Sequence, residues 1–118
     1  MAQIHGKKIF FAADLENDPD INCYPENEVA NAIGTVDVYK AAHHLYSPSN
    51  SVSILKKLNP KYGIVTNQRD RYGTVGNKRI LIQNTRITDS TLFFTGNGTT
   101  ILTINTGGEL TFQTLPAD

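Results

Sequence analysis

Threonine divides this chain sharply. One threonine, Thr35, lies in residues 1–63 and twelve lie in residues 64–118, whereas seven of the eight alanines lie in residues 1–63. Alanine loses no side-chain freedom in a helix, while β-branched threonine is restricted there and packs well on a pleated strand. The partition therefore demands a mixed first half and a strand-built second half. The chain has 118 residues, the length of one domain of about 100–150 residues. We expect a single domain over residues 1–118, with residues 1–60 mixed strand and helix and residues 61–118 a β-meander.

Hydrophobic spacing fills in the elements. Ile9, Phe10 and Phe11 make residues 4–13 a compact strand. Residues 14–28 are rich in Asp, Asn and Pro and predict a surface loop. Val29, Ala32, Ile33, Val36, Tyr39, Ala42 or His43, and Tyr46 fall at the i, i+3, i+4, i+7 spacing of an amphipathic helix over residues 28–46, with Asn27 as N-cap and Gly34 weakening its middle. Alternation at Val36 and Val38 offers a competing short strand over residues 35–39. A second helix is expected over residues 51–58, capped by Ser49, Asn50 or Ser51, closed by Lys56 and Lys57 and stopped at Asn59-Pro60. Beyond it, strands are expected over residues 62–67, 78–88, 91–95, 99–105 and 109–115, separated by Gly, Asn and Asp turns. The fold class is then α+β, one or two short helices in the first half packed on an antiparallel β-meander in the second. Pairing of Leu102 and Ile104 with Leu110 and Phe112 would give one apolar face. Several of these strands are apolar on both sides, so a second sheet or another copy of the chain must cover what the helices do not.

Charge is balanced in total and uneven in place. Eleven bases meet eleven acids. Six of the acids crowd residues 14–28, while residues 56–86 hold eight bases against the single Asp70, a net of +7. The candidate binding residues of this basic stretch are Lys56, Lys57, Arg69, Arg71, Lys78, Arg79 and Arg86, with Tyr72 among them as the one stacking aromatic. A nucleic-acid binder ordinarily carries a clear positive charge, because phosphate contacts supply much of its affinity. Overall neutrality therefore makes nucleic acid an unlikely main partner and favours docking of the acidic segment on the basic one, within the chain or between copies.

Other chemistry is sparse. Asp14, Glu16, Asp18 and Asp20 alternate in a loop and form a weak calcium candidate, but Pro19 and Pro25 stand where an EF-hand needs its glycine and its glutamate. His43 and His44 are adjacent, so on a helix they diverge by about 100° and do not share a metal. No Gly-x-Ser-x-Gly, phosphate-loop or dinucleotide pattern is present, and Gly73 to Lys78 lacks the phosphate-loop spacing. Cys23 is the only cysteine, which excludes an internal disulfide. No window approaches about 18 apolar residues, and the first fourteen residues are too short and too charged for a signal peptide. We expect no enzymatic activity, no cofactor and no membrane partner.

Residues 95–112 carry a further pattern. A Gly/Asn turn leads into Leu102-Thr103-Ile104, then Asn105-Thr106-Gly107-Gly108 and another short strand. This segment resembles one common in bacteriophage tail fibres and related virion appendages, where short two-faced strands stack along an axis and neighbouring chains cover one another's apolar edges. Those fibres often continue with Val-Gly-Ile-Gly, whereas here Leu110-Thr111-Phe112-Gln113 follows and the first half is helical. The resemblance implies a small oligomeric virion component, such as a fibre base, an adaptor or a capsid decoration protein, made in the host cytoplasm. Its partners would be other virion proteins or copies of itself, with Phe93, Phe94, Ile101, Ile104, Leu110 and Phe112 as interface candidates.

Overall fold

The computed structural model describes residues 2–13, 15, 25–46, 49–96 and 98–116. The chain is mixed α/β, but its main sheet is mostly parallel. Strands β1 (Ala2–Ile4), β2 (Lys7–Phe11), β3 (Val38–Lys40), β4 (Tyr62–Val65) and β5 (Leu92–Phe94) form one sheet in the order β1-β2-β3-β4-β5. Only the β1–β2 hairpin is antiparallel; β2, β3, β4 and β5 run parallel. Helices α1 (Pro25–Ile33), α2 (Val52–Leu58) and α3 (Val75–Asn84) make the crossovers. Strands β6 (Gly98–Ile104) and β7 (Leu110–Pro116) form a separate antiparallel pair.

Three expectations are corrected here. The antiparallel meander over residues 61–118 survives only as the β6–β7 pair; β4 and β5 run parallel, because a helical crossover joins them and returns the chain in the same direction. The long helix over residues 28–46 is α1 alone. It starts at Pro25, whose fixed φ suits a first helical position, and ends before Gly34, which holds φ +74. The competing strand over residues 35–39 holds only at its end: β3 is Val38–Lys40, and Thr35, Val36 and Asp37 lie outside it. The strand expected over residues 78–88 is helix α3, which buries only Leu81. Its C-terminal carbonyls find local partners, with Asn84 Nδ2 donating to Ile80 O and Thr85 Oγ1 donating to Leu81 O, both at 2.8 Å.

Where the sequence carried explicit stop and start signals, the elements lie as expected. Ser51 Oγ accepts from Ile54 N at the head of α2, a cap worth about 1 kcal/mol. Asn59 closes α2 in the left-handed region, φ 39, with its N–H donating to Leu55 O. The β6–β7 register pairs Leu102 with Phe112 and Ile104 with Leu110. Asn105 Oδ1 closes their turn by accepting from Gly107 N and Glu109 N.

The sheet has two different covers. Side chains alternate across a strand, and the register aligns Phe10 with Tyr39 and Gly63, and Gly63 with Leu92. This row faces the helices and packs with Ala30 of α1, Ile54, Leu55 and Leu58 of α2, and Leu81 of α3 in one buried cluster. Gly63 leaves room for the Leu92 and Ile87 side chains, which would lie 2.8 and 2.9 Å from any added Cβ. The opposite row aligns Ile9, Val38 and Tyr62, and beside it Phe11, Lys40, Ile64 and Phe93. The β6–β7 hairpin lies over part of this second face. Phe112 stacks on Phe93, centroids 4.1 Å apart, and on Tyr62 at 5.1 Å. Its turn abuts the β1–β2 corner, where a Cβ on Gly108 would come 2.9 Å from His5 O. A second sheet from the same chain thus supplies cover that the two-faced strands require. Phe11, 56% exposed, remains outside it.

Candidate functional site

In open parallel sheets, ligands bind beyond the carboxyl ends of the strands, where crossover loops converge. Here that rim collects the loops after Phe11, Lys40, Val65 and Phe94. The strands hand over to it in sequence. Ala12 N donates to Lys40 O, Ala41 N to Ile64 O and Thr95 N to Val65 O, so the ladder persists one residue past each strand. Then the chain turns abruptly. Ala13, His43, His44, Leu45 and Asp70 all take positive φ, at 47, 50, 50, 67 and 57°. Such values are costly for residues with a Cβ and persist only where surrounding structure imposes them. His43 N donates to Ala13 O at 2.7 Å, and Asn77 Nδ2, from the first turn of α3, donates to Leu45 O at 2.8 Å.

Side chains at this rim are interlocked. His44 Nδ1 lies 3.0 Å from Thr66 O and 2.8 Å from Thr66 Oγ1. A carbonyl only accepts, so the contact with Thr66 O calls for a proton on Nδ1. Asn67 Nδ2 donates to His44 O at 3.1 Å, and Asn67 Oδ1 accepts from Gln68 N. The His43 and Tyr46 rings meet edge to face, 6.1 Å apart. Hydrogen bonds from Asn67 and Arg71 lower the Tyr46 phenol below its ordinary pKa, against a smaller opposing effect of burial. Arg71 also donates to Gln68 Oε1. Lys78 forms an ion pair with Asp70, and Tyr72 stands 95% exposed beside Arg71.

The basic stretch is divided by this geometry. Arg71 and Lys78 reach the rim, and Arg79 is exposed on α3 next to Lys78. Arg69 is engaged elsewhere: its guanidinium donates to Leu92 O, pairs with Asp89 at 3.2 Å and lies over the Phe94 ring. It thereby covers the outer side of β5, a strand at the limit of its sheet. Arg86 is tied to Asn59 O and Val36 O and holds the α3–β5 connection to the body of the chain. Lys56 and Lys57 sit in the last turn of α2. Asp14, Glu16, Asp18 and Asp20 lie outside the described residues, as does Cys23. Among the described residues no group of three or more His, Cys, Asp or Glu is placed to hold a metal ion, and no helix is long and apolar enough to cross a membrane.

Of the interface candidates, Phe94 is buried, and Phe93, Ile104, Leu110 and Phe112 are half-buried. Ile101 faces outward at 39% exposure, with Leu115 at 41% on the partner strand. Sequence reasoning named His43, His44, Arg71, Tyr72 and Lys78, but missed Tyr46, Thr66, Asn67 and Asn77. Their one signal was position: Thr66 and Asn67 fall just past β4, Asn77 at the head of α3 and Tyr46 after the left-handed turn that follows β3, and those boundaries were hidden. No protein-family model matches the chain, and no curated protein is significantly similar to it.

Proposed function

We propose that this chain is a binding protein whose carboxyl rim takes a phosphate-bearing strand, with single-stranded nucleic acid the ligand class that fits. The observation that carries the reading is the exposed Tyr72 beside Arg71, with Lys78 and Arg79 following, on a rim where the backbone is held in costly conformations. An unsupported aromatic stacks on any base, and adjacent cations meet phosphates. Overall neutrality weighs less once the bases are sorted, because Arg69 and Arg86 serve the fold and the rim residues form a small local site. The test is fluorescence anisotropy of a labelled oligothymidine across a salt series. Because Asp70 engages Lys78, two phosphate contacts, from Arg71 and Arg79, predict a log–log salt slope of about −1.4, and Arg71→Ala should flatten it by about 0.7. Tyr72→Ala should weaken binding by about 1–3 kcal/mol. No binding at low salt, or binding indifferent to both substitutions, refutes the proposal.

A second reading, the small oligomeric virion component, draws on the outward face of the hairpin. Thr99, Ile101, Thr103, Thr111, Gln113 and Leu115 form an uncharged face with two exposed apolar side chains. Its test is the mass in solution by light scattering. A trimer or larger ring that Ile101→Lys dissociates supports it, and a monomer at high concentration refutes it.

A further inference from the structure

Glu26 is fully buried. Its carboxylate faces the turn before α2, where Oε2 accepts from Asn50 N at 2.7 Å and Oε1 accepts from Ser51 N at 3.1 Å. Asn50 is buried too, and its backbone takes φ 61. The Asn50 amide then grips one residue from both sides. Ala42 N donates to Asn50 Oδ1 and Asn50 Nδ2 donates to Ala42 O, both at 2.8 Å. Tyr39 Oη donates to the same Oδ1 at 2.5 Å. Burial pushes the Tyr39 phenol well above its ordinary pKa, and the nearby Glu26 charge adds to this, so the phenol keeps the proton that it donates.

Ala42 is the point where the sheet lets go. Ala41 N still pairs with Ile64 O, and the next three residues, His43, His44 and Leu45, are all left-handed. A buried peptide group must find partners. The Asn50 amide supplies both for Ala42 in the manner of a neighbouring strand, so the chain can leave the ladder here without orphaning a donor or an acceptor. We propose that Asn50, held by the buried Glu26 carboxylate, is the positioning residue of the carboxyl rim: it fixes the His43–His44–Leu45 turn and, through that turn, the protonated Nδ1 of His44 on Thr66. This rests on the rim being the ligand surface, but its main readout requires no ligand.

The experiment is ¹⁵N–¹H correlation of the histidine side chains, which distinguishes protonated Nδ1 from protonated Nε2, in the full chain and in three variants. Asn50→Ala should convert His44 from the Nδ1–H form to a mixture. Glu26→Gln, which turns an amide donor toward the Asn50 and Ser51 N–H groups, should shift His44 in the same direction by less and serves if Asn50→Ala does not fold. Ser51→Ala removes the α2 cap without touching Ala42, so it should leave the His44 pattern unchanged. An unaltered His44 in folded Asn50→Ala or Glu26→Gln overturns the proposal, as does an equal change in Ser51→Ala. Failure of the wild-type chain to bind oligothymidine would strike the nucleic-acid reading alone, since the tautomer result stands without it.

Discussion

Phe112→Ala tests whether the hairpin is held to the sheet from within the chain. Its ring lies 8° from parallel to Phe93 and 30° from Tyr62, at centroid separations of 4.1 and 5.1 Å. Aromatic pairs contribute about 0.5–1.5 kcal/mol each beyond their buried area. Two pairs therefore give about 2 kcal/mol. Transfer of a half-buried phenyl group adds about 1 kcal/mol, half or less of the value for full burial. The expected loss is about 3 kcal/mol, at the lower end of core Phe→Ala substitutions. For a domain of this length that lowers Tm by roughly 10 °C. The comparator is Ile101→Ala, on the face of β6 that points away from the sheet, which should cost under about 0.5 kcal/mol. Urea and thermal unfolding of both variants, at two protein concentrations, make the measurement. Equal losses, or a larger and concentration-dependent loss for Ile101→Ala, would refute the placement of the hairpin and turn its apolar face toward another copy.

Three further outcomes follow from particular contacts. Gly63→Ala places a methyl group against the Leu92 and Ile87 side chains and should cost about 1–3 kcal/mol by overpacking. Gly96→Ala should cost more, because its Cβ would meet backbone, 2.4 Å from Gln68 N, and a reversed order of the two in urea midpoints contradicts the β4–β5 geometry. Tyr39 keeps its proton in the folded chain but loses it above about pH 10 when unfolded, so stability should fall as pH rises past that point. Tyr39→Phe should flatten that fall. The Tyr46 phenol should give an ultraviolet ionisation step below about pH 10 that Tyr46→Phe removes and Arg71→Ala moves upward, and folding should gain stability between the lowered and ordinary values.

Legibility in the sequence followed the kind of signal. Helix α2 was fixed at both ends by Ser51 and Asn59-Pro60, and β6–β7 by alternation around a Gly-Gly turn. The parallel sheet was hidden because β3 and β5 have three residues each, too few to show a period. Helix α1, the crossover turn and β3 together imitate one amphipathic stripe: Val29 and Ile33 pack from a helix, while Val36 and Tyr39 pack from a loop and a strand into the same core. Helix α3 was disguised by exposing Ile80 and burying Leu81, which leaves Ile80 and Ile82 looking like one face of a strand. Threonine enrichment then misled, since Thr74 and Thr85 bound α3 and Thr88 and Thr91 close a turn with their hydroxyls. At the rim, the residue types of His43, His44 and Arg71 drew notice, but their neighbours could not be known before the strand order was.

That strand order has a consequence for how the molecule is made. Each of β2, β3, β4 and β5 pairs with the strand immediately before or after it in the chain, but across a helical crossover, as where Ile9 meets Val38 and Gly63 meets Leu92. Each parallel pairing must therefore close a loop before its contacts form, which slows folding relative to a hairpin. As the chain emerges during synthesis, each new strand finds its predecessor already in place, and the helical face can close before residue 98 is made. The β6–β7 hairpin is the exception: it must reach back to Tyr62 and to the β1–β2 corner. Its docking is then a late step, and loosening it should raise the unfolding rate while leaving the folding rate nearly unchanged.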